Sequence, residues 1–142
     1  MPASCRFAMA VHLLTVLAYQ AGARVTSSQL AASVNTNPVV IRRLLCALRE
    51  AGIVETRKGA GLGSQLARAP RLIRLADVYR AVEAGETFAF PGSKPNRKCP
   101  VGAKITNALE TVFSSAQAAM ERELDRKSLA DILKTVDCPA AV

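Results

Sequence analysis

The first seventy residues change hydrophobic period once, from helical to strand spacing. Phe7, Val11, Leu14 and Leu17 recur at helical spacing, and Met9, Ala10 and Leu13 widen the apolar surface, which predicts a helix over residues 5–21 with Ser4 as cap. A helix apolar on most sides is packed on most sides, so this one is expected to support the elements that follow. Thr26, Ser27 and Ser28 offer capping oxygens to a short helix over 29–34, with Leu30 and Val34 on one face. Asn35-Thr36-Asn37-Pro38 breaks it, and Pro38 suits the first turn of a second helix capped by Asn37 or Thr36. There Ile41, Leu44, Leu45 and Leu48 make a buried stripe, while Val39, Arg42, Arg43, Cys46 and Arg49 cluster on the other side. Gly52 ends that helix. The period then shortens to that of strands over 53–58 and 64–68, around a Gly-rich turn at 59–63.

Beyond Ala69-Pro70-Arg71 the helical period returns. Leu75, Val78 and Val82 face inward on a helix reaching about residue 84, and Gly85 ends it. Residues 87–90 suit a short extended segment and 91–96 a loop. From Pro100 to about 127, Val101, Ile105, Leu109, Val112, Ala116, Met120 and Leu124 continue one apolar stripe. That length is a rod of roughly 40 Å at about 1.5 Å per residue. So small a domain does not cover such a rod. Pairing with a symmetry mate would bury Ile105, Leu109, Val112, Ala116 and Met120; packing against the first helix is the alternative. Ser128 caps a last helix over 129–136, and 138–140 is a loose tail. The expected fold is mainly α with a small β-wing. Residues 1–70 form the reading domain, 71–99 a connecting helix and loop, and 100–142 the dimerisation helix and C-terminal helix.

A short helix, a tight turn and a second helix with outward arginines, followed by a basic hairpin, is the winged helix-turn-helix arrangement. Candidate DNA contacts are Thr36, Asn37 and Val39 at the start of the reading helix, Arg42 and Arg43 along it, and Ser27 and Ser28 at the preceding helix N-terminus. In the wing they are Arg57 and Lys58, with Gly59 and Gly61 letting the backbone approach closely. The net charge of +8 agrees with a polyanionic partner, double-stranded DNA. A solvated helical hairpin beside a surface β-hairpin is the plainer alternative.

No apolar run approaches the roughly 20 residues that span a bilayer, and no basic leader precedes the first apolar stretch, so a cytoplasmic protein is expected. The four cysteines, Cys5, Cys46, Cys99 and Cys138, are too scattered for a disulfide scaffold. His12, the one histidine, has no nucleophile or orienting partner at a telling spacing and reads as packed or interfacial.

Residues 35–44, 48–54 and 59–61, then 75–83, Cys99-Pro100-Val101-Gly102 and 128–133, resemble the Rrf2 family of winged-helix regulators, which includes IscR, NsrR and CymR. The resemblance covers nearly the whole chain. It implies a dimeric bacterial transcription factor, mostly of the repressor kind, with a dimerisation helix in the second half. Many members carry three consecutive glycines in the wing turn; this chain has Gly61-Leu62-Gly63. Several hold an iron–sulfur cluster on three closely spaced cysteines before the long helix. Here only Cys99 lies in that stretch, short of the roughly four thiolates a cluster takes, so the chain resembles the cluster-free branch and no metal or cofactor is expected.

Cys99 is also the candidate sensor thiol. Arg97, Lys98 and Lys104 surround it and a helix start at Pro100 follows, all favouring thiolate. Oxidation or alkylation there would alter DNA binding; a purely structural role at a helix cap is the alternative. Modification of Cys46 on the reading helix is a lesser route. The inducer is not specified by the sequence, and control by a metabolite or protein partner is the second reading. A thiol enzyme using Cys99 is the third, but no CxxC pair, nucleophile–base pairing or phosphate loop accompanies it.

Overall fold

Apolar stripes of the right period do become helices, and their ends are set by side chains that answer unpaired backbone groups. The computed structural model describes residues 4–57, 62–83, 85 and 87–137. In chain order these form α1 (Arg6–Tyr19), α2 (Ser27–Val34), α3 (Pro38–Glu50), β1 (Val54–Arg57), β2 (Gly63–Leu66), a 3₁₀ turn (Pro70–Leu72), α4 (Leu75–Val82), α5 (Ile105–Asp125) and α6 (Leu129–Asp137). The fold is mainly α with a two-stranded wing. The chain divides into two compact units, residues 1–84 with 124–142, and residues 85–123.

In the first unit, α2 begins in a reciprocal cap. Gln29 N–H donates to Thr26 Oγ1 at 3.1 Å and Thr26 N–H donates to Gln29 Oε1 at 2.9 Å. Asn35 closes α2 in the left-handed region at φ 64°, which asparagine tolerates better than most residues. Asn37 then caps α3, its Oδ1 accepting from Val39 N–H at 2.8 Å, and Pro38 occupies the first turn. Gly52, at φ 75°, ends α3: its N–H reaches Arg49 O at 2.9 Å while Ile53 N–H reaches Leu48 O at 2.9 Å. That pair of bonds is the Schellman arrangement, which a side chain at the left-handed position would strain.

The core gathers Leu13 and Leu14 of α1, Leu30 of α2, Ile41, Leu44 and Leu48 of α3, Val78 and Val82 of α4, and Leu129 of α6. Full burial of each such side chain favours folding by about 1.5–3 kcal/mol. The main neighbours of α1 are α2, α4, β2 and α6, whereas α3 packs on α2, α4 and β1. The support α1 gives the second helix therefore passes largely through α2 and α4. His12 is exposed, with Nε2 3.0 Å from Ser33 Oγ.

Two ties join α4 to the start of α6. Leu75 N–H donates to Lys127 O at 2.9 Å and Leu129 N–H to Ile73 O at 2.8 Å. Ser128 caps α6: Asp131 N–H donates to its Oγ at 3.3 Å, and Asp131 Oδ2 accepts from Ser128 N–H at 2.8 Å. Ser4 Oγ, at the other end of the chain, accepts from Arg6 N–H at 3.2 Å.

In the second unit the long helix starts later than the stripe suggests. α5 begins at Ile105, and residues 100–104 form turns instead of helix. Here the chain wraps around Asn96, whose carbonyl accepts from Cys99 N–H at 3.2 Å and whose Oδ1 accepts from Lys98 N–H at 3.0 Å. Gly102 lies so close to the Asn96 carbonyl that any side chain there would collide with it. Apolar spacing through Val101 carries no sign of this tertiary turn. Residues 87 and 88 bend, and residues 87–90 belong to no sheet.

Candidate nucleic-acid interface and thiol site

The stripe of α3 opposite the core is fully outward. Ile41, Leu44, Leu45 and Leu48 are buried, and Val39, Arg42, Arg43, Cys46 and Arg49 are exposed. One edge of that outward face, with Arg42, Cys46 and Arg49, lines a cleft of about 530 Å³. The other walls are Thr26, Ser27 and Ser28 at the start of α2 and Thr56, Arg57, Leu62, Gly63 and Ser64 of the wing. Three consecutive elements thus converge on one cationic concavity.

Polar ties fix this geometry. Val25 pairs with Ser64 as a one-residue extension of the sheet, and Arg24 reaches Gly63 O at 3.5 Å. Arg49 donates to Thr56 Oγ1 at 3.4 Å, joining the reading helix to β1. β1 and β2 pair antiparallel in the register Val54↔Leu66 through Arg57↔Gly63. On the far side, Arg68 donates from Nε to Gly52 O at 3.2 Å and from a terminal nitrogen to Ala51 O at 2.9 Å. The same guanidinium lies 3.7 Å from Asp77 of α4. It answers carbonyls left open at the end of α3.

Of the residues singled out in the sequence, Ser27, Ser28, Arg42 and Arg57 come together in the cleft. Val39 and Arg43 lie on the exposed face of α3, with Thr36 and Asn37 at its start. Lys58, Gly59 and Gly61 lie outside the described residues. The structure adds Arg24, Arg49, Thr56 and the exposed Leu62, which the list of candidates omitted. Arg42, Cys46 and Arg49 fall four and three apart, so the stripe containing Arg49 was visible as spacing; its bond to Thr56 was not.

Cys99 is exposed in the turn before α5. Backbone N–H groups of Gly102 and then Val101 hydrogen-bond its sulfur and hold its pKa below the ordinary thiol value. The direction agrees with the sequence reading but the cause differs: turn amides do this, and no helix begins at Pro100. On α5, which has no buried residue, Ile105 and Val112 are exposed and Leu109, Ala116 and Met120 half-buried.

A reading helix, its supporting helix and a wing disposed around one basic cleft define a winged helix-turn-helix DNA-binding protein. The profile of the Rrf2 family, described as iron-dependent transcriptional regulator, matches residues 3–135, and the chain belongs to that family. It is 44% identical over 128 residues to the HTH-type transcriptional regulator YwnA of Bacillus subtilis (strain 168), covering 90% of this chain and 94% of that one. A crystal structure described as a DNA-binding protein is 43% identical with a TM-score of 0.73, covering 90% of this chain and 98% of that one. IscR of T. potens is 25% identical with a TM-score of 0.73, over 100% of this chain and 93% of that one. The protein is a DNA-binding transcriptional regulator.

Among the described residues the family's iron finds no matching donor set. Among the described residues no three His, Cys, Asp or Glu side chains are grouped so as to hold a metal ion. Cys5 precedes α1, Cys46 lies mid-way along α3 and Cys99 stands alone in its turn, so no segment supplies closely spaced thiolates. Among the described residues no helix is long and apolar enough to cross a membrane.

Proposed function

We propose that this regulator is a homodimeric repressor that reads an inverted repeat, α3 of each subunit entering one major groove, and that modification of the Cys99 thiolate releases it. The observation that carries the DNA reading is the basic cleft shared by α2, α3 and the wing. Arg42 and Arg43 contact base edges or phosphates from the exposed face of α3, with Thr36, Asn37 and Val39 nearest the groove floor. Ser27 and Ser28 hold a phosphate at the start of α2, and Arg57, with Lys58, Gly59 and Gly61 beyond it, grips the adjacent backbone.

Pairing is supported by α5, a helix of 21 residues with exposed Ile105 and Val112 and no buried side chain. Burying Ile105, Leu109, Val112, Ala116 and Met120 against a second copy removes that apolar surface from water. The sensor reading is supported by the exposed Cys99 thiol and the turn amides that favour its ionised form.

Selection of bound sites from random duplex DNA, with reduced and with alkylated protein, tests the whole reading. The expected result is an inverted repeat with half-sites about one helical turn apart, bound by a species that sizes as a dimer. Alkylation should release it from wild type but not from Cys99→Ser. A monomer that enriches no repeat sinks the DNA reading; equal release from both proteins removes Cys99 alone.

A further inference from the structure

The 85–123 unit contains a cavity that DNA recognition does not use. Its volume is about 470 Å³, within the roughly 300–1,000 Å³ of small-molecule sites. Phe88, Phe90 and Phe113 supply aromatic walls. Phe88 stacks on Phe113 with ring centres 4.9 Å apart, and Phe90 tilts against the same ring at 5.3 Å. Glu110 and Glu121, on the same face of α5 as Phe113, supply two carboxylates to the lining, and none of the described lining residues is Lys, Arg or His. In a chain of net charge +8 this is a local inversion of sign.

Aromatic walls alone would accept any apolar molecule, and carboxylates alone any cation. Together they favour a cation whose charge is spread over a greasy body. Such an ion loses little hydration on entry, lies against the negative faces of the phenyl rings and is drawn by the carboxylates. Two carboxylates do not make a metal site, and among the described residues no three His, Cys, Asp or Glu side chains are grouped to hold one.

We propose that this cavity is a binding site for a lipophilic organic cation, an ammonium or phosphonium centre carrying aromatic groups. The chain has four phenylalanines, three in the cavity and Phe7 elsewhere, packed edge-on against Tyr79. Full-length protein with ring-labelled phenylalanine is therefore titrated by NMR with tetraphenylphosphonium and, separately, with tetraphenylborate, which has nearly the same shape and the opposite charge.

The phosphonium should shift the Phe88, Phe90 and Phe113 signals to saturation and leave Phe7 in place, with at least tenfold tighter binding than the borate at those rings. Glu110→Gln with Glu121→Gln, near-isosteric changes, should weaken the phosphonium at least fivefold and narrow that preference. Absence of saturable shifts, equal affinity for the two ions at the three rings, or an unchanged affinity in the double variant overturns the proposal. No DNA enters the measurement, so its failure and failure of the regulator reading are told apart.

Discussion

Val25 and Ser64 exchange both of their backbone hydrogen bonds, Ser64 N–H to Val25 O at 2.8 Å and Val25 N–H to Ser64 O at 3.0 Å. This single pair stitches the wing to the residue just before the α2 cap. The spacing between the start of α2 and the wing is therefore fixed by main chain, and it sets the width of the basic cleft.

Gly63 makes that approach possible. It sits at φ 132°, and a β-carbon there would come within 3.0 Å of the Val25 carbonyl. Gly63→Ala should cost about 1–3 kcal/mol through backbone strain and displacement of the wing. Thermal unfolding should show the loss, and operator affinity should fall further than non-specific affinity; an unshifted melting curve would refute the close approach.

Arg43 and Arg57 should fail differently. Arg43→Ala on the exposed face of α3 is expected to cost about 1–3 kcal/mol at the operator and little on random duplex. Arg57→Ala should weaken both and lower the slope of log affinity against log salt by about one. Titrations at several salt concentrations separate the two; matching slopes for Arg57→Ala and wild type would exclude a phosphate contact.

The depressed pKa of Cys99 predicts a pH window for its chemistry. The Gly102 and Val101 amides stabilise thiolate, so alkylation of folded protein should rise with pH around a midpoint below that of the same cysteine in urea. Iodoacetamide rates followed by peptide mass spectrometry measure both midpoints. A folded midpoint at or above the unfolded one contradicts the turn geometry.

Asp131 links acid to the end of the chain. The Ser128 backbone N–H, then its hydroxyl, then Lys127 and Lys134 hold the carboxyl below its usual pKa. A group depressed on folding contributes stability above its unfolded pKa and loses it as pH falls through the folded one. Protection of α6 amides from hydrogen exchange should fade across that window in wild type. In Asp131→Asn it should be lower at neutral pH and vary less with acid; identical profiles would remove the cap from the account.

The parts of this molecule legible in its sequence are those governed by near neighbours. Ile41, Leu44, Leu45 and Leu48 against Val39, Arg42, Arg43, Cys46 and Arg49 is a matter of angle around one helix, and both faces fell as the spacing requires. The Thr26 cap, the stop at Gly52 and the Ser128 cap are local hydrogen bonding of the same kind. The Val25–Ser64 pair spans 39 positions and uses only backbone atoms, so no side-chain pattern announces it. Arg68 reads as one more surface cation until the fold puts it beside Ala51 and Gly52. The late start of α5 has the same origin: Val101 keeps the apolar rhythm while Asn96 and Gly102 bend the chain away from a helix.

Arg68 stands just past β2 and holds the last carbonyls of α3, while β1 is tied to α3 through Arg49. Both arms of the hairpin are thereby anchored to α3. If α3 enters the groove as proposed, a duplex would meet a preset caliper at the anchored base of the hairpin, and sequences that resist matching its opening would be rejected by stiffness even where every base edge is correct.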